Sequence, residues 1–493
     1  MTDWRRLDPR MLVVAPARAL VRLVPVLLVL LVTGRGDDPV RLWISAGITV
    51  LVVLAGIVRW RTTKYRITPE RVELHSGWIR RQRRSVPRDR IRTVDLTATP
   101  LHRLFRLDVV VVHAAGTGVE HRHGGLELDA VAATEGEGLR AELLDRGAAR
   151  PAEPSDEVEL ARLDWTWVRF APLTFSALAG IGAVAAAAFN LAGELGLSPR
   201  RMAVDAVAAR LSNAPLWLAI GIVGLALLAL AVVGSVVIFV ERWWGYRLLR
   251  ENGRLHVRRG LLTTRSLTVA EDRLRGVGVH EPLLLRAGRG AQTRALSTGL
   301  GRNAQSGALQ PPAPRAEAHR VAAAALARLH PGEAPDPTRA TLHRHPRAAL
   351  RRRLSRALVP VAVLVVATVV LGRVWPAWDW LWPTALVLLP LAALLAWDRY
   401  RALGHTLTPT YLVSRLGGFS RRTVAVQRTG IVGWRVRQSV FQRRAGLVTL
   451  EAVTAAGDGG YPILDVDPVT AVDLVEQTTP GLLSAAGSRT ARA

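Results

Sequence analysis

The chain has 493 residues, enough for several domains, and 49% of them are hydrophobic. It contains no cysteine, which excludes disulfides, thiolate metal ligands and a cysteine nucleophile. Its formal net charge of +27 is compatible with nucleic-acid binding, but the basic residues concentrate beside long apolar runs. The basic stretches 59–92 and 344–356 border such runs, whereas the charges of 35–41 cancel. This asymmetry follows the positive-inside pattern of membrane proteins, so we expect no nucleic-acid partner.

Six apolar segments are long enough and poor enough in charge to cross a bilayer. They are residues 19–33, 42–58, 168–191, 215–240, 357–371 and 380–397. Tryptophans gather near their ends, as in an interfacial aromatic belt. Between the third and fourth segments, residues 199–215 have an amphipathic helical pattern that fits either the outer membrane interface or a cap on the bundle. We predict an inner-membrane protein with Met1 and Ala493 both on the cytoplasmic side.

After each pair of apolar segments comes a similar stretch of sequence. An offset of 340 residues lays the first stretch on the third without a gap, and several identical residues then coincide, among them Thr68 with Thr408, Gly77 with Gly417, and Arg103 with Arg443. The second stretch fits the first with an offset of 181 at Tyr246, which becomes 183 at Gly260 after a two-residue insertion. The repeating unit is therefore a helix pair followed by a small domain.

Each small domain has β patterns followed by one helical stretch. Residues 65–74 alternate, Gly77 suits a turn with positive φ, and short strands are predicted at 94–96, 109–113 and 119–123. The closing helices are predicted at 128–145, 316–329 and 467–477. Strands followed by a C-terminal helix describe a pleckstrin-homology (PH)-like half-barrel.

The predicted fold class is an α+β membrane protein with six transmembrane helices in three pairs, each pair followed by a cytoplasmic PH-like half-barrel with a C-terminal helix. The predicted segments are helix pair 1 (12–60), domain 1 (61–147), helix pair 2 (160–242), divergent domain 2 (243–330), helix pair 3 (345–400), domain 3 (401–480) and a flexible tail (481–493).

Several motifs of domain 1 resemble the bacterial PH domain family, formerly a domain of unknown function. These are Tyr65-x-Ile67-Thr68 with Gly77 nine residues later, Val86-Pro87, Arg90-Ile91, and Pro100-Leu101-x-Arg103-Leu104-Phe105. The whole chain is similar to multi-pass membrane proteins that carry several such domains. Domain 2 departs most, with Leu249, Thr268 and Leu274 at the corresponding positions. The resemblance implies a fold and a membrane location, and the family has no assigned reaction.

The sequence carries no catalytic or cofactor-binding motif, so we expect no enzyme and no cofactor. The pairs His121/His123 and His343/His345 supply two ligands each, fewer than zinc requires, and no metal site is predicted. Weak contact with anionic lipid is predicted for two arginine clusters. One follows Gly77 and the other precedes the fifth span: Arg80, Arg81, Arg83 and Arg84, and Arg351, Arg352 and Arg353. For the first cluster, a solvated charged face is the alternative.

Two functions from different classes remain open. The first is a non-enzymatic membrane scaffold whose domains bind membrane lipids, a membrane-protein partner or each other, for example in envelope homeostasis or defence. The second is a component of transport or lipid translocation that uses the six-helix bundle. A polar or acidic stripe inside the bundle would favour the second, and the sequence shows none.

Overall fold

The structure is a computed structural model, and it describes residues 4–14, 16–17, 47, 50–51, 54, 56–58, 60–77, 81–88, 91–114, 125–144, 157–174, 216–298, 307–327 and 336–480. Several predictions lie outside these residues: the span 19–33, most of 42–58 and 168–191, the amphipathic stretch 199–215, the strand 119–123 and the tail 481–493. The chain divides into two compact units, residues 1–270 and 271–493.

The small domains of the three repeats have the same order of elements, in which a run of strands is followed by a short helix, further strands and a closing helix. In repeat 1 they are β1 (Arg5–Arg6), β2 (Lys64–Ile67), β3 (Arg71–Ser76), β4 (Gln82–Pro87), β5 (Ile91–Ala98), α1 (Pro100–Leu104), β6 (Leu107–Ala114), β7 (Gly125–Ala132) and α2 (Ala133–Leu144). In repeat 2 they are β8 (Val158–Arg162), a 3-10 helix (Trp165–Leu173), α3 (Leu216–Trp243), β9 (Arg247–Glu251), β10 (Arg254–Arg259), β11 (Thr264–Ala270), β12 (Leu274–Pro282), α4 (Leu283–Ala287), β13 (Gly290–Ser297), β14 (Ala313–Pro314) and α5 (Arg315–Leu326). In repeat 3 they are α6 (Arg347–Val374), α7 (Leu381–Arg401), β15 (Gly404–Leu407), β16 (Tyr411–Leu416), β17 (Ser420–Gln427), β18 (Ile431–Arg437), α8 (Val440–Arg444), β19 (Val448–Thr454), β20 (Gly460–Val466) and α9 (Pro468–Thr478).

Three of the described helices are long and apolar enough to cross a membrane. The qualifying stretches are Gly224–Trp243, Arg347–Val374 and Pro376–Arg401. They contain most of the fourth predicted span and the whole of the fifth and sixth. Large apolar side chains such as Val363, Val366 and Leu394 are exposed on these helices, as expected of surfaces that face lipid.

The predicted 340-residue offset holds in the structure. It carries the first residue of β2, β3, β5 and α1 onto the first residue of β15, β16, β18 and α8. Gly77 and Gly417 both have positive φ, of 100° and 102°, in the hairpin after β3 and β16. A Cβ at Gly417 would lie 2.0 Å from the carbonyl oxygen of Ser420, so the turn requires glycine.

The predicted frame of repeat 2 needs correction. Tyr65 pairs with Leu74 across β2 and β3, and Leu248 pairs with Val257 across β9 and β10. An offset of 183 therefore already applies in the first strand, and the two-residue insertion is absent. Leu248 is fully buried at the position of Tyr65, whereas Tyr246, the match chosen from sequence, lies before the strand.

The closing helix of domain 1 begins later than predicted. The segment 128–132 continues strand β7, and α2 begins at Ala133. Leu126, Leu128 and Ala130 are all buried, and their two-residue spacing is that of a strand with one face in the core. In domain 3, α9 lies where predicted, with Asp467 as its N-cap.

Two β-sheets continue from one domain into the next. In unit 1, β5 of domain 1 pairs antiparallel with β11 of domain 2, giving the seven-stranded order β7-β6-β5-β11-β10-β9-β8. In unit 2, β12 of domain 2 pairs with β17 of domain 3, giving the six-stranded order β14-β13-β12-β17-β16-β15. We call these contacts junction 1 and junction 2. The boundary between the two units falls inside domain 2, between β11 and β12.

The cores of domains 1 and 3 join their strands to the closing helix. In domain 1, Tyr65 and Val72 pack in one cluster with Val94, Val110 and the α2 residue Leu139. The domain 3 core brings together, in the same way, residues of β16, β17, β18, β19, β20 and α9. Burial of these apolar side chains, at about 25 cal/mol per Å², is the main force that holds each domain together.

A short strand precedes each predicted helix pair and pairs with the first strand after it. β1 pairs with β2, β8 pairs with β9, and His343 forms an isolated bridge with His405 in β15. The chain therefore enters and leaves each pair from adjacent strands. The sequence analysis did not predict this strand.

Candidate functional site

A cavity of about 630 Å³ lies where helices α6 and α7 meet domain 3. All of its lining residues belong to unit 2. Five are arginines: Arg352, Arg353, Arg356, Arg399 and Arg437. Among the described residues that line it, Asp465 is the one carboxylate. The cavity is therefore strongly cationic.

Asp465 holds the base of α6 against domain 3. Its carboxylate accepts hydrogen bonds from Arg352 Nη1 at 2.5 Å, Arg353 Nη2 at 3.0 Å and Gln442 Nε2 at 3.0 Å. Asp465 is 1% exposed and has a φ of 58° at an irregularity in the pairing of β19 and β20. A buried carboxylate bound to two guanidinium groups is a strong link, because each charge would be costly to leave unpaired.

The charge of the other cavity arginines is less well compensated. Arg437 lies 3.5 Å from Glu451, which also pairs with Arg435. Arg356 and Arg399 are exposed, and neither forms a hydrogen bond or ion pair within the described part of the chain. Two cationic groups on neighbouring helices are thus available to an anionic ligand.

Gly418 allows Arg399 to take its place in the cavity. A Cβ on Gly418 would lie 2.2 Å from Cγ of Arg399, far inside contact distance. The hairpin between β16 and β17 therefore approaches α7 so closely that only a hydrogen atom fits between them.

One wall of the cavity is apolar. It is formed by residues from α6, α7 and the β16–β17 hairpin: Ala357, Ala392, Leu395, Ala396 and Phe419. The uncharged stretch of α6 begins directly after Arg356 and runs to Gly372, about 24 Å of helix at 1.5 Å per residue. The cavity therefore lies where the apolar part of the helix pair ends and the charged part begins.

A second contact links α7 to domain 2. Asp398 receives two hydrogen bonds from Nη2 of Arg286 in α4, at 2.9 and 2.8 Å. Glu281, 1% exposed, binds Arg421 through two hydrogen bonds and lies 3.2 Å from Arg315. Burial raises the pKa of Glu281, but the contacts with these two arginines outweigh it, and the pKa lies below its ordinary value. Junction 2 is therefore fastened by the buried ion pair between Glu281 and Arg421.

The two predicted arginine clusters lie in different surroundings. Arg80 lies outside the described residues, whereas Arg81 precedes β4, and Arg83 and Arg84 lie on it, in the predicted hairpin. Arg351 is exposed and does not line the cavity. The two remaining residues of the second cluster, Arg352 and Arg353, line the cavity but are engaged by Asp465. Lipid contact by these clusters stays a prediction.

His343 and His345 meet a third histidine, His405. His405 Nδ1 lies 3.2 Å from His345 Nε2, and His345 Nδ1 lies 3.3 Å from the backbone oxygen of Asp465. Burial and the two neighbouring histidines lower the pKa of His405 to about 4. The described residues contain no group of three histidine, aspartate or glutamate side chains arranged to hold a metal ion.

Of the residues that line the cavity, Arg352 and Arg353 were predicted to contact lipid, whereas Asp465, Arg356 and Arg399 were not among the predicted site residues. Arg356 follows the predicted Arg351–Arg353 run by less than one helical turn, and Arg399 lies two residues after the end of the sixth span. Their position at span ends could have indicated them. Nothing local distinguishes Asp465, because its role arises from a contact between residues more than 100 positions apart.

Comparison with known proteins agrees with the repeated architecture. The family described as bacterial PH domain matches residues 15–147, 197–328 and 356–476. The UPF0699 transmembrane protein YdbT of Bacillus subtilis (strain 168) is 22% identical over 416 residues, covering 81% of each chain. No solved structure matches the chain. The chain belongs to the bacterial PH domain family, as a membrane protein with three copies of that domain.

Proposed function

We propose that this protein is a non-enzymatic membrane platform whose third PH domain and helix pair bind the headgroup of an anionic lipid. The observation that carries the proposal is the cavity in which Arg356 and Arg399 have no acidic partner among the described residues. A phosphate between these guanidinium groups would receive charge-assisted hydrogen bonds from both.

The shape and lining of the cavity support a lipid over a free anion. The apolar wall continues from the charged end onto α6 and α7, with Ala357 and Leu395 on the helix side. A phospholipid is polar at the phosphate and apolar along its acyl chains, so both walls would be matched. A small soluble anion would leave the apolar wall facing water.

In this proposal the domains lie on the cytoplasmic side of the inner membrane, as the distribution of basic residues predicts. Asp465 anchors domain 3 to α6, and junction 2 joins β17 of that domain to β12. A headgroup bound at the cavity would thus sit beside the strands that connect domain 3 with domain 2, where lipid binding could be communicated to protein partners.

Native mass spectrometry of the full chain tests the proposal. The protein is purified in mild detergent with equal amounts of phosphatidylglycerol and phosphatidylethanolamine, and retained lipids are counted. The double variant Arg356→Gln/Arg399→Gln should lose about 2 kcal/mol of binding free energy, or roughly thirtyfold in affinity for phosphatidylglycerol, because each basic residue near an anionic headgroup contributes about 1 kcal/mol.

The matched control is Arg344→Gln/Arg347→Gln, which removes the same charge from exposed positions at or just before the same end of α6, outside both the cavity and the cluster predicted to contact lipid. We expect this variant to retain phosphatidylglycerol within a factor of about three of the unmodified chain. Equal losses of phosphatidylglycerol in the two variants would show that the cavity contributes only as part of a general basic surface. No loss in either would mean that the cavity does not bind anionic lipid.

A further inference from the structure

The two junctions between domains use the same strands in the same register. Leu96 faces Ser266 across junction 1, and Val279 faces Thr423 across junction 2. The 183-residue offset carries Leu96 onto Val279, and a further 157 residues carry Ser266 onto Thr423. We call β4, β11 and β17 the fourth strands of the three domains, and β5, β12 and β18 the fifth strands. The fifth strand of domains 1 and 2 therefore pairs with the fourth strand of the next domain in one fixed register.

A second contact accompanies each pairing. At junction 1, Arg103 of α1 donates a hydrogen bond to the backbone oxygen of Leu261, in the hairpin before β11. At junction 2, the amide of Leu283 in α4 donates to the backbone oxygen of Phe419, in the hairpin before β17, at 2.6 Å. The short helix after the fifth strand thus holds the hairpin of the incoming domain.

Domain 3 repeats both halves of this docking surface, and within the described part of the chain no strand is paired with its outer edge. Its equivalent strand, β18, is the edge of the three-stranded sheet β18-β19-β20. Val436 of β18 is 61% exposed, whereas Leu96 and Val279, at the same position in domains 1 and 2, are 7% and 1% exposed. On α8, Val440 and Phe441 are also exposed, at 61% and 69%. We name β18 and α8 together the terminal edge.

We propose that the terminal edge docks a PH domain of a separate polypeptide, which adds its fourth strand to β18 at the register of the two internal junctions. An edge strand offers a row of backbone hydrogen-bonding groups, and strand addition is a common mode of protein recognition. The partner's hairpin would cover Phe441, as the hairpins before β11 and β17 lie against α1 and α4.

Charge argues against a second copy of this chain as the partner. The shared register would place Arg84 of β4 directly opposite Arg435 of β18, at a position where the internal junctions pair Asp95 with Leu267 and Gly278 with Val424. Like charges directly opposite in a sheet are destabilising. Glu451 does not relieve this, because it is already shared between Arg435 and Arg437. We therefore assign an uncharged residue to that position of the partner's strand.

Photo-crosslinking in the native membrane tests the proposal. Benzoylphenylalanine replaces Val436 in the full chain, and the crosslinked peptides are sequenced. The control places it at Val472, 53% exposed on α9 of the same domain. A positive control at Phe419 should crosslink within the chain to the region of Leu283. We expect a Val436 adduct that joins a separate polypeptide within the fourth strand of a PH domain.

Adding Phe441→Asp to the Val436 probe should lower that adduct about tenfold or more, because it places a charge where the hairpin docks. Four results would overturn the proposal: an adduct with the Arg83 region of a second copy, an adduct with lipid alone, an adduct with a polypeptide that has no PH domain, or no adduct above the Val472 control. The test does not depend on the lipid cavity, so the two proposals can fail separately.

Discussion

Replacing Asp465 by asparagine should loosen domain 3 from the base of α6. Asparagine tolerates a positive φ well, so the backbone conformation at 58° is kept while the negative charge is removed. Arg352 and Arg353, with side chains 13% and 11% exposed, would lose their shared carboxylate. Breaking a buried ion pair by removing one partner costs about 3–5 kcal/mol, and we expect the lower value because both arginines border the cavity.

Hydrogen exchange on the full chain in detergent measures this change. A loss of about 3 kcal/mol should raise the exchange rates of the β19 and β20 amides roughly a hundredfold, with domain 1 as an internal reference. The matched control is Asp458→Asn, whose partner Arg422 is 46% exposed and whose pair should contribute about 1 kcal/mol or less. Equal exchange in the two variants would refute the idea that Asp465 fastens the domain. Adding Arg353→Met to Asp465→Asn should recover part of the loss, because one unpaired buried charge is then removed.

Three further predictions follow from the same contacts. Glu281→Gln should leave Arg421 without its buried carboxylate and lower the stability of junction 2 by about 3 kcal/mol. Amide hydrogen exchange in β12 and β17 should then be faster, and unchanged exchange in these strands would contradict the prediction. The lowered pKa values of Glu281 and His405 mean that the folded chain binds fewer protons than the unfolded chain, so its stability is greatest above about pH 6.5. The contribution of His405 to stability should be lost as the pH falls from about 6.5 to about 4. A melting temperature that stays constant from pH 7 to pH 5 would contradict this. Gly418→Ala should push the stem of Arg399 out of the cavity and reduce phosphatidylglycerol retention as far as Arg399→Gln does; undiminished retention would show that the close approach has no role in binding.

The sequence predicted the repeat well because its signals are local. A turn glycine and an alternating strand recur at fixed spacing, and the 340-residue frame is the one found in the structure. The errors arose where two local patterns compete. Residues 128–132 are apolar enough for either a helix or a strand, and only the alternation from Leu126 to Ala130 indicates the strand.

The junctions and the cavity could not be predicted from local pattern. Strand pairing between domains depends on which edges remain free after each domain folds, and this information is spread over the whole repeat. The hydrogen bond between Arg352 and Asp465 joins residues 113 positions apart in sequence. Arg351, Arg352 and Arg353 were predicted to contact anionic lipid as one group, but burial and a single carboxylate separate Arg352 and Arg353 from the exposed Arg351.

The most direct test of the lipid-binding account is an experimental density map of the full chain in nanodiscs that contain phosphatidylglycerol. The account predicts phosphate density in the cavity within hydrogen-bonding distance of Arg356 and Arg399, with acyl-chain density along Ala357 and Leu395. A cavity filled with water alone, while phosphatidylglycerol is ordered elsewhere around the helices, would contradict it.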